Sequence, residues 1–224
     1  MLERGFEHHP GAAAAVLSDL RSTLATVPFE RAGARLHGVS GLGCFLHRDG
    51  VIGAVAAIHL GRAARPVRAL LFDKFDASNW SLGWHQDRTI AVVERREVED
   101  FGPWTVKAGM VHVEPPPALQ AMMITLRVHL DRVDEANAPL LVAPGSHRLG
   151  RISQPDIAST VRRCGTAICT AEAGDIWAYS TPILHASEAA ARPGRRRVLQ
   201  VDYAAAELPD GLRWLGIGEC TPST

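Results

Sequence analysis

Apolar residues recur near helical spacing in the first third of the chain: Ala12, Ala15, Val16, Leu20 and Leu24, with Pro28 ending the pattern. A polar, glycine-rich stretch follows from Arg31 to Gly43. The next expected helix runs from about Gly50 to Leu60, with Ile52, Val55, Ala56 and His59 on one side and Gly61 as its stop. From Pro66 onward the pattern changes to short extended segments separated by turn residues. Val67 to Phe75, Ile90 to Val93, Ile176 to Tyr179 and Arg196 to Tyr203 read as strands. Met122 to Asp131 alternates, with Met123, Thr125, Arg127 and His129 on one face and Ile124, Leu126, Val128 and Leu130 on the other, the pattern of a half-buried strand. Turns fall at Asp76 to Asn79, Pro144 to His147, Glu172 to Asp175 and Pro193-Gly194. Residues 94–117, first charged and then proline-rich, read as a long loop whose aromatics and His112 suit a lid. Strands at this spacing, after a helical part at 1–65 and without βαβ alternation, predict an antiparallel sandwich or barrel over 66–204.

Composition narrows the picture. With 224 residues and 46% hydrophobic content, the chain can bury one core, so a single domain over 1–224 is expected. Lys and Arg number 24, as do Asp and Glu. A balanced charge gives no reason to expect binding to nucleic acid or to an anionic membrane, and favours a small-molecule partner. Cys44, Cys164, Cys169 and Cys220 show no C-x-x-C spacing, and Asp19 and Arg21 interrupt the apolar run at Ala12 to Leu17. The expectation is a reduced, cytoplasmic, soluble protein with structural thiols.

The chemistry centres on Trp84-His85-Gln86-Asp87. Residues i and i+2 of an extended segment point the same way, so His85 and Asp87 can offer an imidazole and a carboxylate to one metal ion. A second imidazole, from His185, completes a 2-His-1-carboxylate set, which leaves coordination positions open as a non-haem Fe(II) oxygenase requires. Two rivals stand in the same chain, His129-Leu130-Asp131 and His112-Val113-Glu114. Spacing does not choose among the three. His59 reads as a core-edge residue, and Arg195-Arg196-Arg197 begins a strand whose alternation does not say which arginine faces a ligand.

Several segments, in order, resemble the phytanoyl-CoA dioxygenase family: Phe72-Asp73-Lys74, Asn79-Trp80, Trp84 to Val92, His129-Leu130-Asp131, Pro139-Leu140, Pro144 to Arg148, and Gly174-Asp175 through His185-Ala186-Ser187. Ordered agreement over roughly 66–204 is more specific than any one triplet. The resemblance implies a mainly β fold with N-terminal helices, a double-stranded β-helix (jelly roll) using Fe(II), 2-oxoglutarate and O2. It implies that His85, Asp87 and His185 hold the metal and that His129 does not. The family's serine two residues after the distal histidine, and its arginine eleven after it, select Ser187 and Arg196 for 2-oxoglutarate. A guanidinium grips a carboxylate bidentately, so an arginine suits that role. Lys74 and Trp80 also match family positions, although a lysine at a strand end is ordinarily solvated. Ala190 replaces a common Asn, and Asn137-Ala138-Pro139 replaces Asn-Gly-Pro. Halogenating relatives lack the carboxylate that Asp87 supplies, so hydroxylation of a small molecule is the implied reaction. The alternative is a non-catalytic jelly roll that binds a ligand or a metal.

Overall fold

The computed structural model describes residues 3–27, 33–75, 79–192 and 194–218. The expected stop at Pro28, the first three residues of the turn at Asp76, Pro193 and Cys220 lie outside them. Two of the expected helices form, α1 at Leu17–Leu24 and α3 at Val51–Leu60, with a short α2 at Leu42–Leu46 between them. Gly61 caps α3 at φ 70°, the left-handed backbone that glycine adopts without steric cost. Inside α3, Gly53 packs so closely on α2's exit that a Cβ there would meet the His47 carbonyl oxygen at 1.9 Å.

The N-terminal part is not wholly helical. Phe6–His9 forms β1 and Gly33–Leu36 forms β2, each an edge strand of the largest sheet. That sheet runs in the order β1, β11 (Ile176–Ser180), β8 (Ile124–His129), β13 (Arg196–Ala204), β3 (Arg65–Lys74), β2, with every pairing antiparallel. A second sheet is ordered β10 (Ala167–Cys169), β9 (Leu140–Val142), β12 (His185–Ser187), β4 (Leu82–His85). Ile90–Val92 (β5), Met110–Val113 (β7) and Trp104–Lys107 (β6) make a third sheet of three strands. This is the expected jelly roll.

The long loop expected at 94–117 is replaced in large part by the β6–β7 hairpin. Its two-residue turn, Ala108-Gly109, has positive φ at both positions, the conformation that matches the twist of a tight hairpin. Asn-Gly or Asp-Gly would have announced that turn in the sequence, whereas alanine there is unusual.

The two faces of the large sheet divide the chemistry. Leu126, Val128, Leu199 and Val201 on the outer face pack with Leu20, Leu46, Ile52 and Ala56 of the helices in one buried cluster, and Tyr203 donates its hydroxyl to the Leu46 carbonyl at 2.9 Å. The inner face carries Arg68, Thr125, Arg127, Gln200 and Asp202, all buried. All six residues of β8 are therefore buried, not half of them as the alternation implied. Its polar face meets the interior of the roll instead of bulk water, and periodicity alone does not separate the two cases.

Candidate active site

The second sheet brings His85 and His185 together directly. They are register partners across β4 and β12, with ring centroids 4.2 Å apart and a register shift just beyond, between His185 and Ser187. The Nδ1 of His85 lies 2.8 Å from the Gly83 carbonyl and the Nδ1 of His185 lies 3.0 Å from the Ile183 carbonyl. A carbonyl only accepts, so each Nδ1 carries a proton and Nε2 is the nitrogen available to a metal. Asp87 lies just past the end of β4, and its candidate ligand atom falls with those of the two histidines inside a 4.8 Å group. Its Oδ2 accepts from Arg68 Nη2 and from Gln200 Nε2, both at 3.2 Å.

Electrostatics favours the ligating protonation states. Burial alone would raise the Asp87 carboxyl, but the Arg68 guanidinium, with the hydrogen bond from Gln200, outweighs it and holds the group ionised. Burial and the neighbouring His85 push His185 down to about 4, so its imidazole is neutral. Two imidazoles and one carboxylate opening on a cavity fit Fe(II) or a similar divalent ion.

The rest of the motif is scaffolding. Trp84 packs against the cluster of Ala143, Ile152 and Leu184. The Gln86 amide donates to the Gly150 and Pro182 carbonyls at 2.9 and 2.7 Å and accepts from the Ile152 N–H at 2.9 Å, which fixes the chain between the two ligands.

Neither rival triplet assembles. His129 is buried with both ring nitrogens unpartnered, while Asp131 is gripped by Arg197 through Nε at 2.9 Å and Nη2 at 2.7 Å. In the hairpin, His112 bonds the Met110 carbonyl and Glu114 pairs with Arg151 at 2.9 Å. His59 is a core-edge residue, its side chain 8% exposed, though it also joins Glu7 and His9 in a second 4.8 Å group. That group is formed by β1 and α3, away from the cavity.

His85, Asp87, His185, Ser187 and Arg196 all line one cavity of 370 Å³ between the sheets. Strand alternation left Arg196 and Arg197 undecided, and the structure turns them to opposite faces. Arg196 is 1% exposed, donates from Nη1 to the Ala138 carbonyl and leaves its buried Nε unpartnered. Burial and then Arg127 bring its guanidinium down to about 9. Ser187 also donates to the Ala138 carbonyl, at 3.2 Å. The Ala-for-Gly departure thus sits at an anchor point, with Ala138 at φ 50°. At the other departure, Asn79 clamps the Ala190 backbone with hydrogen bonds of 2.7 and 3.0 Å.

Lys74 corrects the expectation of a solvated strand-end lysine. It pairs in register with Arg196, is 1% exposed, lies 4.4 Å over the Trp80 ring, and donates to Ser187 Oγ at 3.2 Å and the Glu188 carbonyl at 2.9 Å. Sequence reading also missed Arg68 and Arg127. A basic residue in an alternating strand gives no sign of whether its face meets water or a cavity.

The family model described as phytanoyl-CoA dioxygenase (PhyH) matches residues 45–198, from α2 through the metal triplet to the start of β13. The chain belongs to the phytanoyl-CoA dioxygenase family. It is accordingly a non-haem iron, 2-oxoglutarate-dependent oxygenase. No curated protein matches it in sequence. Among solved structures of similar fold, apo EctD from S. alaskensis shares 18% identity at TM-score 0.66, over 98% of this chain and 79% of that one. AviO1 from Streptomyces viridochromogenes Tue57 shares 17% at 0.65, over 93% and 91%. HygX from Streptomyces hygroscopicus, solved with nickel and 2-oxoglutarate bound, shares 15% at 0.62, over 93% and 89%. Identities this low speak to the fold, and the family membership rests on the model match.

Proposed function

We propose that this protein hydroxylates a small organic molecule, with His85, Asp87 and His185 holding Fe(II) and with Arg196 and Ser187 holding the distal carboxylate of 2-oxoglutarate. The observation that carries the reading is that all five side chains open on one cavity. Iron bound there supplies, with 2-oxoglutarate and O2, the oxidative decarboxylation to succinate and CO2 that drives hydroxylation. The residues of the chain provide the rest. Gly83 and Ile183 fix the imidazole tautomers, Arg68 and Gln200 orient the carboxylate, and Arg196 supplies a desolvated cation. Asp87 fills the position that a halide would need. Two neighbouring structures, of EctD with 5-hydroxyectoine and of HygX with hygromycin B, hold small molecules, in keeping with a small-molecule substrate here. A cytoplasmic location is part of the proposal; among the described residues no helix is long and apolar enough to cross a membrane.

Purified protein with Fe(II), ascorbate and O2 is expected to convert 2-oxoglutarate to succinate slowly without substrate and faster in a substrate screen, and Asp87→Ala is expected to release none above the no-enzyme background. Wild-type protein that holds both iron and 2-oxoglutarate yet releases no succinate would return the non-catalytic jelly-roll reading.

A pH dependence follows from Lys74. Burial, then Arg196 and Arg127, push its ammonium down to about 7. A carboxylate bound beside Ser187 stabilises the protonated form, so binding above pH 7 takes up a proton. Affinity for 2-oxoglutarate is therefore expected to fall as pH rises above 7, by up to about tenfold per unit. Calorimetry at pH 8 in buffers of different ionisation enthalpy reads the uptake, which Lys74→Met should remove. Equal uptake in the variant would assign the proton elsewhere.

A further inference from the structure

The chain as a whole is charge-balanced, yet the cavity is not. Among the described residues, Asp87 is the one carboxylate in its lining, against Arg35, Arg68, Arg88, Lys107, Arg127 and Arg196. Most of these cations already have an occupation. Arg68 pairs with Asp202 at 2.5 Å and with Asp87. Arg88 donates to the Ile152 carbonyl and Arg196 belongs to the co-substrate end, while Arg127, whose Nε is also buried without a partner, donates from Nη1 to Gln200 and lies 5.3 Å over the Phe72 ring.

Arg35 and Lys107 are left. Arg35 stands on β2 opposite Leu70, and Leu70 shares the inner face of β3 with Arg68. Its Nε is buried without a hydrogen-bond partner. Lys107 reaches the same region from the hairpin and donates to the neutral Thr89 hydroxyl at 3.1 Å. Among the described residues neither forms an ion pair. Repulsion within the group outweighs the attraction of Asp87: burial and then Arg68 lower the Arg35 guanidinium, and burial, Arg68 and Arg35 in turn lower Lys107, with Asp87 offsetting only part of this. An anion placed among them relieves that repulsion and satisfies the orphaned donor.

We propose that Arg35 and Lys107, backed by Arg68, form a second anion-binding pole of the cavity that takes an acidic group on the substrate, a carboxylate, phosphate or sulfate. The inference rests on the oxygenase reading in one respect, that the group captured is the substrate's. Formal charges agree with it. Iron(II), Asp87 and dianionic 2-oxoglutarate together leave one negative charge, which Arg196 offsets, so Arg35 and Lys107 remain for a further anion. Leu70 and Phe72, which stand on β3 between Arg68 and the register partner of Arg196, line the cavity between the poles. The substrate class is thus a small acid with an apolar body, held by its head while a carbon of the body faces the metal ligands.

Inorganic sulfate is the probe. In protein loaded with Ni(II) and saturating 2-oxoglutarate, which occupies the Arg196 end, calorimetry is expected to find one saturable sulfate site. The Arg35→Gln/Lys107→Gln double variant, folded by circular dichroism, is expected to bind sulfate at least tenfold more weakly. Absence of saturable binding in the wild type, or equal affinity in the double variant, overturns the proposal. Phosphate and acetate titrated in the same way rank the three head groups. A failed oxygenase reading looks different: 2-oxoglutarate then does not bind the wild type, and the sulfate site, assayed in Arg196→Ala protein without co-substrate, still reads the pole by itself.

Discussion

His85→Ala and His185→Ala are each expected to abolish stoichiometric Fe(II) binding, and with it succinate release. Removing one of three protein ligands weakens the metal by more than the 10–100-fold that changes to a ligand's supporting hydrogen bonds cause, so a loss above about 100-fold, roughly 3 kcal/mol, is the expected scale. His129→Ala provides the contrast. It belongs to the same H-x-D pattern, but its partner Asp131 is held by Arg197, and its imidazole, pushed down to about 3 by burial and then by Arg127 and Arg196, is a neutral buried group. Its removal should cost about 1–3 kcal/mol of stability and leave iron stoichiometry intact. Iron content after dialysis, with circular dichroism to verify folding, separates the two. Equal iron loss in folded His129→Ala protein would sink the assignment.

The other large effect is expected at Arg196. Its replacement by alanine leaves the distal carboxylate of 2-oxoglutarate without a desolvated cation, a loss on the order of 2–5 kcal/mol. The dissociation constant should rise more than tenfold, since about 1.4 kcal/mol already corresponds to that factor, while Fe(II) binding persists. Arg197→Ala should instead lower the melting temperature, because it releases Asp131 on the outer face, and should leave 2-oxoglutarate affinity within about twofold. Arg195→Ala, at a side chain 55% exposed that pairs with Asp73, should also leave that affinity within about twofold. A large affinity loss in Arg197→Ala would move the co-substrate to the other face of β13. Tight 2-oxoglutarate binding in all three variants would remove it from this strand altogether.

What was legible in the sequence divides along physical lines. Helix α3 and the strands β8, β11 and β13 announced themselves because their periodicity reflects a buried face, and Gly61 marked the helix end through its own conformational freedom. Strands β1 and β2 gave no such sign. Each is four residues long and mostly half-buried at a sheet edge, so its pattern is too short and too polar to read. The β6–β7 hairpin was hidden by an alanine in its turn. At the site, His85, Asp87 and His185 could be shortlisted from spacing but not chosen over the other triplets, since nothing local tells that Asp131 is committed to Arg197. Arg196 was selectable only through the family spacing, and its structural reason, the register pairing with Lys74 on the inner face, depends on two strands far apart in the chain. The cationic lining was the least legible feature of all. A net charge of zero is a sum over the whole chain, whereas the cavity draws one basic residue from each of β2, β3, β6, β8 and β13 and another, Arg88, from the segment between β4 and β5.

The place of β13 in the large sheet bears on how the protein comes to be made. It lies between β8 and β3, pairing with both along most of its length. Until residues 196–204 have been synthesised and released from the ribosome, those two strands present unpaired edges to one another across an unfilled gap, and long open edges invite pairing with other chains. The three metal ligands are all translated before that strand. His185 stands only eleven residues before Arg196, so the last metal ligand and the co-substrate arginine reach the fold together, and completion of the sheet becomes the step that joins a metal site to a co-substrate site.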